Sequence, residues 1–269
     1  MIREICHAKI NLSLDVIKRR ENGYHDVSMV MKTIDLADEV ILEKIDEDKV
    51  IFSMDGVTST SIMDEAAEDN LAVKAYRLLK DKFPEQVGGI SIKLTKNIPV
   101  AAGLAGGSAD AAGVLRGVNR LYELGLSTEE LMDMSVALGA DIPFCVMEGC
   151  ALSEGIGEIL TPLDDKCFED IRFEVVKPDA DVNTGWAYGQ IDKLLENNTA
   201  QHPDVSAQVR SINSGDLDGV IANMGNTFEQ VIVPIVPQIN EIKEDMISRG
   251  AIATMMSGSG PSVYGLFRK

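Results

Sequence analysis

The stretch PVAAGLAGGSADAAGVLRGVNRL, residues 99–121, constrains this chain more than any other. Before it runs GGISIKLTKN, which alternates like a strand. After its glycines, Ala111, Val114, Leu115, Val118, Leu121 and Tyr122 recur at three- and four-residue steps, as on one face of a helix. Gly103, Gly106 and Gly107 permit torsions that a Cβ disfavours, so successive N–H groups between strand and helix can converge on one point. With Ser108 as the cap, the free N–H groups and the positive end of the helix dipole face that point, which suits a di- or triphosphate. The Ser108 hydroxyl could also serve a phosphate or a magnesium ion. A close-packed strand-to-helix turn with no ligand needs the same glycines, so the loop by itself leaves both readings open. No lysine follows Gly107 as in G-x-x-x-x-G-K-[ST], and Gly103-Leu-Ala-Gly106 is not G-x-G-x-x-G. Asp110 fits the helix dipole but would repel a phosphate, so it is expected to point away, or to hold the loop or a metal.

Length and charge narrow the class. A chain of 269 residues, 45% hydrophobic and 25% charged, is expected to fold as two domains or one large one. Its 43 acidic against 25 basic residues give a net charge of −18, which argues against a nucleic-acid partner but not against a small polyanion held locally, near Lys18, Arg19 and Arg20 or by backbone N–H groups. The first residues, MIREICHAKINL, lack an apolar core of signal-peptide length, and no run of 18 apolar residues occurs, so a cytoplasmic protein without a membrane partner is expected. Cysteines at 6, 145, 150 and 167 form no Cys-x-x-Cys pair and histidines at 7, 25 and 202 no ligand spacing, which predicts free thiols and no structural zinc.

The coarse order is α+β, with a change of texture around residues 150–165. EICHAKINLSLDVI reads as a long first strand, ENGYHD as a turn, VSMVMKTI and EVILEKI as two further strands, and Asp55 to Asp69 as an acidic, weakly ordered patch. A helix capped by Asn70 should bury Leu71, Ala75, Leu78 and Leu79. Ser127 with Glu130 forms a capping box for a helix ending near Gly139. Beyond residue 150, strands are expected at ALSEG and IRFEVVKP and helices at 184–195, 207–212, 217–231 and 237–248. Two closing strands flank the glycine turn Ser257-Gly-Ser-Gly-Pro261.

Phosphoryl transfer to an alcohol needs a cation near the transferring oxygens and a carboxylate to take the hydroxyl proton. Lys9, in an otherwise apolar strand, and Asp141, between Gly139-Ala140 and Ile142-Pro143-Phe144, have the required types. A strand-edge lysine and a turn aspartate are the ordinary alternatives. Tyr24 and His25, after the Asn22-Gly23 turn, pair an aromatic face with a ring that donates and accepts, as reading a nucleobase would need; a surface hairpin is the alternative.

Three segments in order, AKINLSLDV, PVAAGLAGGSADAA and MMSGSGPSVYGLF, resemble the three motifs of the GHMP kinase superfamily across nearly the whole chain. AKINLSLDVIKRRENGYHDVSMVM, LGADIPF and SEGIGE narrow the resemblance to members that phosphorylate the 2-hydroxyl of a diphosphocytidyl methylerythritol, in the non-mevalonate route to isoprenoid precursors. The resemblance implies an α+β two-domain GHMP kinase fold. Residues 1–158 would form an ATP-binding domain of the ribosomal-protein S5 domain 2-like type and 159–269 a smaller α+β C-terminal domain, with the active site in the cleft between them. It implies ATP and Mg2+ as cofactors, a small-molecule substrate, and a monomer or weak dimer. By position in the motifs, Lys9 and Asp141 become the catalytic pair, Asp141 as base and Lys9 as charge stabiliser. ATP phosphates fall to Pro99, Val100, Ala101, Ala102, Gly103, Leu104, Ala105, Gly106, Gly107, Ser108 and Ala109, and substrate contacts to Asn11, Tyr24, His25 and Thr184. Ala105 and Ala109 stand where many members have glycine and serine, which implies weaker or rearranged phosphate contacts. No acidic residue is singled out as the metal ligand.

Overall fold

The computed structural model describes residues 1–56 and 68–269; most of the acidic patch expected from Asp55 to Asp69 lies outside the described residues. Its first element, β1 (Ile2–Arg19), is the long strand read from the sequence. Cys6, Ala8, Ile10, Leu12, Leu14 and Val16 are buried along one face. On the other face Ile5 and Ile17 are exposed near the ends, while Lys9, Asn11 and Ser13 between them are buried. Polar side chains therefore sit where a strand covered on both faces would ordinarily carry apolar ones.

The two strands expected next are one, β2 (His25–Lys44), which neighbours β1 in the sheet. Residues 33–38 contain no glycine or proline to break the ladder. Instead the partner changes along the strand, β5 (Cys150–Glu154) opposite residues 29–32 and β4 (Ile90–Lys96) opposite residues 39–44. The chain folds into two compact units: Met1–Lys9, Ile34–Val100 and Ala105–Glu148 form the first, and Ile10–Thr33, Ala101–Leu104 and Gly149–Lys269 the second.

In the first unit β4 also pairs in parallel with β3 (Val50–Gly56), a strand not expected from the sequence. Helices α1 (Leu71–Lys82), α2 (Gly106–Leu121), α3 (Thr128–Ser135) and α4 (Ile142–Met147) complete it, with α1, α3 and α4 packed on α2. The Asn70 side chain caps α1 by accepting from the Ala72 N–H, and Ser127 and Glu130 form the expected capping box. The buried face of α1 is rotated from the expected stripe. Ala72, Val73, Ala75, Tyr76 and Leu79 are buried while Leu71 and Leu78 are only half-buried. Against β1, α2 comes so close that a Cβ on Gly113 would lie 2.3 Å from Cys6 Sγ.

In the second unit β5 pairs with β6 (Ile159–Pro162), and β7 (Ile171–Val176), β10 (Val263–Arg268) and β9 (Ala253–Met256) form an antiparallel sheet in that order. Helices α5 (Thr184–Glu196), α6 (Val205–Ser214) and α9 (Gln238–Ser248) follow the sequence reading. The helix expected over 217–231 does not form as one element. It splits into α7 (Leu217–Ala222) and α8 (Glu229–Ile232) around β8 (Gly225–Asn226), which pairs in parallel with Ser13 and Leu14 of β1. Thr227 holds the break by donating its hydroxyl to Leu14 O at 3.2 Å and accepting from the Val16 N–H at 3.3 Å. Tyr264, fully buried, donates its hydroxyl to Asn11 O at 2.8 Å, and Gln208 Nε2 donates to Leu12 O at 2.9 Å.

The four cysteines are free; Cys6, Cys145 and Cys150 are buried and Cys167 half-buried. Among the described residues no helix is long and apolar enough to cross a membrane.

Candidate active site

The first unit carries the expected pair. Lys9 Nζ and Asp141 Oδ2 are 3.7 Å apart, the lysine nearly closed to solvent and the aspartate partly open. Lys9 is held at mid-strand in β1, and Asp141 sits immediately before α4, whose Ile142, Pro143 and Phe144 are buried and anchor it. A cation and an accessible carboxylate are thus placed together by burial of their neighbours.

Beside the start of α2 lies a charged cluster that sequence reasoning left unpartnered. Lys96 Nζ donates to Asp110 Oδ2 at 2.5 Å and to Asp38 Oδ2, and Asp38 Oδ1 accepts from the N–H groups of Asn97 and Ile98, the latter at 2.8 Å. All three charged residues are at most 4% exposed, and Asp110 Oδ1 has no hydrogen-bond partner among the described residues. Burial and the Asp38 carboxylate push the Asp110 carboxyl up to about 8 although Lys96 opposes them. Burial works against the charge on Lys96, but the two carboxylates together hold it above the usual lysine range. Asp110 therefore ties the helix to the strand residue Lys96. The signal for Lys96 was present in the chain: it falls on the face of β4 that buries Ile90, Ile92 and Leu94, as out of character there as Lys9 is in β1.

The helix begins at Gly106, two residues before the expected cap. Ala105 occupies the cap position in the left-handed region at φ 55°, with no side-chain hydrogen bond, so Ser108 lies inside the first turn. Ala101, Gly103 and Ala105 have φ of 52°, 73° and 55°, alternating with residues that do not. Alternation of left- and right-handed torsions turns successive N–H groups toward one side, the concavity that binds anions. Two of the three left-handed residues carry a Cβ, a cost of about 1–2 kcal/mol each that the surrounding structure sustains. Gly107 is exposed, and a Cβ there would meet only Leu71 Cδ1 at an ordinary 3.5 Å. Nothing within the described residues requires glycine at that position; a ligand approaching the helix end would. The loop and helix end fit a nucleotide's phosphates on these two observations.

In the second unit Gly103 packs directly on the turn after β9. A Cβ on it would lie 2.2 Å from Ser257 O, and Ser257 Oγ donates to Gly103 O at 2.9 Å. The His25 ring stacks on Tyr188 with centroids 4.4 Å apart, and its Nε2 lies 2.6 Å from Asp192 Oδ1. Tyr24, by contrast, is 59% exposed and turned outward after the Asn22-Gly23 turn. Asn11 is fully buried, its Nδ2 donating to Met29 Sδ at 3.1 Å. Thr184 Oγ1 is 2.9 Å from Ser259 Oγ, so it meets the glycine turn. Sequence reasoning missed Tyr188 and Asp192, yet Thr184, Tyr188 and Asp192 follow at four-residue steps on α5, a spacing that puts them on one helix face. Among the described residues no group of three or more His, Cys, Asp or Glu is arranged to hold a metal ion.

The profile described as GHMP kinases N terminal domain matches residues 70–149, and that described as GHMP kinases C terminal matches residues 208–269. The chain belongs to the GHMP kinases. It is 47% identical, over 99% of its length and 88% of the relative's, to the 4-diphosphocytidyl-2-C-methyl-D-erythritol kinase of Lachnospira eligens. A crystal structure of 4-(cytidine 5'-diphospho)-2C-methyl-D-erythritol kinase superposes with a TM-score of 0.79 at 29% identity, covering 98% of this chain and 90% of that one. The homoserine kinase of Cytophaga hutchinsonii, at 19% identity and a TM-score of 0.74 over 100% of this chain and 85% of its own, shares the fold.

Proposed function

We propose that this protein transfers the γ-phosphoryl group of ATP to the 2-hydroxyl of 4-diphosphocytidyl-2-C-methyl-D-erythritol, a step toward isoprenoid precursors by the non-mevalonate route. The observation that carries the substrate is the 47% identity over nearly the full chain to a kinase of that name. The Lys9 and Asp141 pair supports the chemistry. Asp141, the accessible partner, accepts the proton of the substrate hydroxyl as the oxygen attacks phosphorus. Lys9, held in a dry site, stabilises the negative charge that gathers on the attacking and transferring oxygens. The N–H groups of residues 99–109 receive the ATP phosphates, with the α2 dipole behind them. Mg2+, when bound, would supply charge neutralisation to the phosphates.

Tyr24 and His25 receive the cytosine, His25 with its ring fixed by Asp192 and Tyr188, while Asn11 and Thr184 face the rest of the substrate. The ATP-binding domain is residues 1–158 and the C-terminal domain 159–269 in this reading, a division by segment that cuts across the compact units. The protein acts in the cytoplasm as a monomer or weak dimer.

The test is ADP release from MgATP with diphosphocytidyl methylerythritol, homoserine, mevalonate or galactose as acceptor, each product identified by mass. Turnover with the cytidyl compound alone is expected. Turnover with another acceptor would keep the kinase and replace its substrate, and silence with all four would leave a nucleotide-binding module without catalysis.

A further inference from the structure

The segment Asn226-Thr227-Phe228-Glu229, in the middle of what sequence periodicity reads as a helix, is extended where it meets β1 and turns both of its polar ends toward one residue of another strand. Asn226 Nδ2 donates to Met256 O at 2.9 Å and to Gly258 O at 2.8 Å, and its Oδ1 accepts from the Phe228 N–H at 2.9 Å. Glu229 Oε1 accepts from the Met256 N–H at 2.7 Å and from Lys243 Nζ at 2.5 Å. Both backbone groups of Met256 are thus held by side chains from a single four-residue segment. Asn226 is 7% exposed and makes every hydrogen bond its amide N–H groups can make, so it has one orientation.

What Met256 and Gly258 lead into is the turn that backs Gly103. Gly258 is close enough that a Cβ on it would lie 3.0 Å from Gly103 O, and Ser257, fully buried, bonds that same oxygen. The left-handed torsion of Gly103 is therefore set by where the turn stands, and the turn stands where Asn226 and Glu229 hold it.

We propose that Asn226 and Glu229 are positioning residues for the nucleotide loop, acting on residues 101–104 through Met256 and the Ser257-Gly258 turn. The inference rests on the reading that this loop receives ATP phosphates. A misplacement of about 1 Å in such a support is enough to cost binding or rate many-fold.

Asn226→Asp is the sharpest variant. It keeps the shape and the acceptor for Phe228 N–H but sets an oxygen against two carbonyl oxygens. The expected result is a rise in KM for ATP of about ten-fold or more, with KM for the acceptor within about two-fold and a parallel loss of ADP affinity by calorimetry. Glu229→Ala should move the same constants and Glu229→Gln, which keeps the acceptor for Met256 N–H, should restore them. If Asn226→Asp fails to fold, Ser257→Ala removes only the hydroxyl bond to Gly103 and is read by the same split, a few-fold rise in KM for ATP alone being expected. Equal movement of both KM values, or a lowered melting temperature with ATP KM unmoved, overturns the proposal. Wild-type protein that neither turns over ATP nor binds ADP would sink the nucleotide reading itself, whereas wild type that binds ADP alongside unmoved variants sinks the clamp alone.

Discussion

Lys9 Nζ lies 3.7 Å from Asp141 Oδ2, and the two differ sharply in access to solvent, 6% for the lysine side chain and 35% for the aspartate. The asymmetry suits a fixed charge beside a group that must meet a substrate proton. On the proposed function, replacing Asp141 by Asn keeps the shape and removes the base. We expect kcat to fall by about 10²–10⁴ while ADP affinity measured by calorimetry stays within a few fold. A variant that keeps wild-type turnover would remove Asp141 from that role.

The loop glycines separate fold from ligand. Gly103→Ala puts a Cβ 2.2 Å from Ser257 O at a φ of 73°, so it should lower the melting temperature, with about 1–2 kcal/mol lost from the torsion before the clash is counted. Gly107→Ala meets only ordinary contact inside a helix and should stabilise the fold by about 0.5–1 kcal/mol while weakening ATP binding. A Gly107→Ala protein that is more stable and binds ATP as well as wild type would mean that no ligand comes close to that helix end.

Tyr24 offers an exposed ring beside a histidine that is fixed from two sides. Its loss should leave the fold intact and raise KM for the cytidyl acceptor by about ten-fold, the equivalent of one aromatic stack, with KM for ATP unchanged. Equal shifts in both constants would take Tyr24 out of the base pocket.

Asp110 makes stability depend on pH. Its carboxyl is pushed up from 3.8 to about 8, so the folded protein holds a proton that the unfolded chain releases. The stability linked to that proton is fully present below the ordinary aspartate value and is lost as pH rises through the folded one. Asp110→Asn is neutral at every pH. Between about pH 5.5 and 8.5 the melting temperature of wild type should therefore fall more steeply than that of the variant, and parallel curves from calorimetry would contradict it.

Much of this was readable from the chain because burial leaves a period. The even positions of β1, the Asn70 and Ser127 caps and the strands around the closing glycine turn each follow from local pattern. Lys9 was conspicuous inside an apolar strand, but it was the family resemblance that paired it with Asp141, whose carboxylate lies 3.7 Å away. What local pattern could not carry was long-range pairing. Residues 223–228 have helical composition on either side, yet the ladder to Ser13 and Leu14 wins there. β3 forms because β4 offers it a parallel edge. Ser108 looked like a cap because serine prefers caps, but the left-handed turn at Ala105 starts the helix earlier. Asp110 could be seen to be out of place, whereas its partners Lys96 and Asp38, 14 and 72 residues away in sequence, could not be paired with it without the fold.

β1 and β2 each run unbroken from one compact unit into the other, and the chain crosses between units at residues 9/10, 33/34, 100/101, 104/105 and 148/149. Neither unit is a continuous piece of gene. A single recombination event therefore cannot exchange one intact unit between two relatives, and a junction at 9/10 or 33/34 splices half of one strand onto half of another. Grafting a new acceptor preference onto this scaffold calls for point substitution, and a chimera joined within β1 or β2 should express as insoluble or unfolded protein.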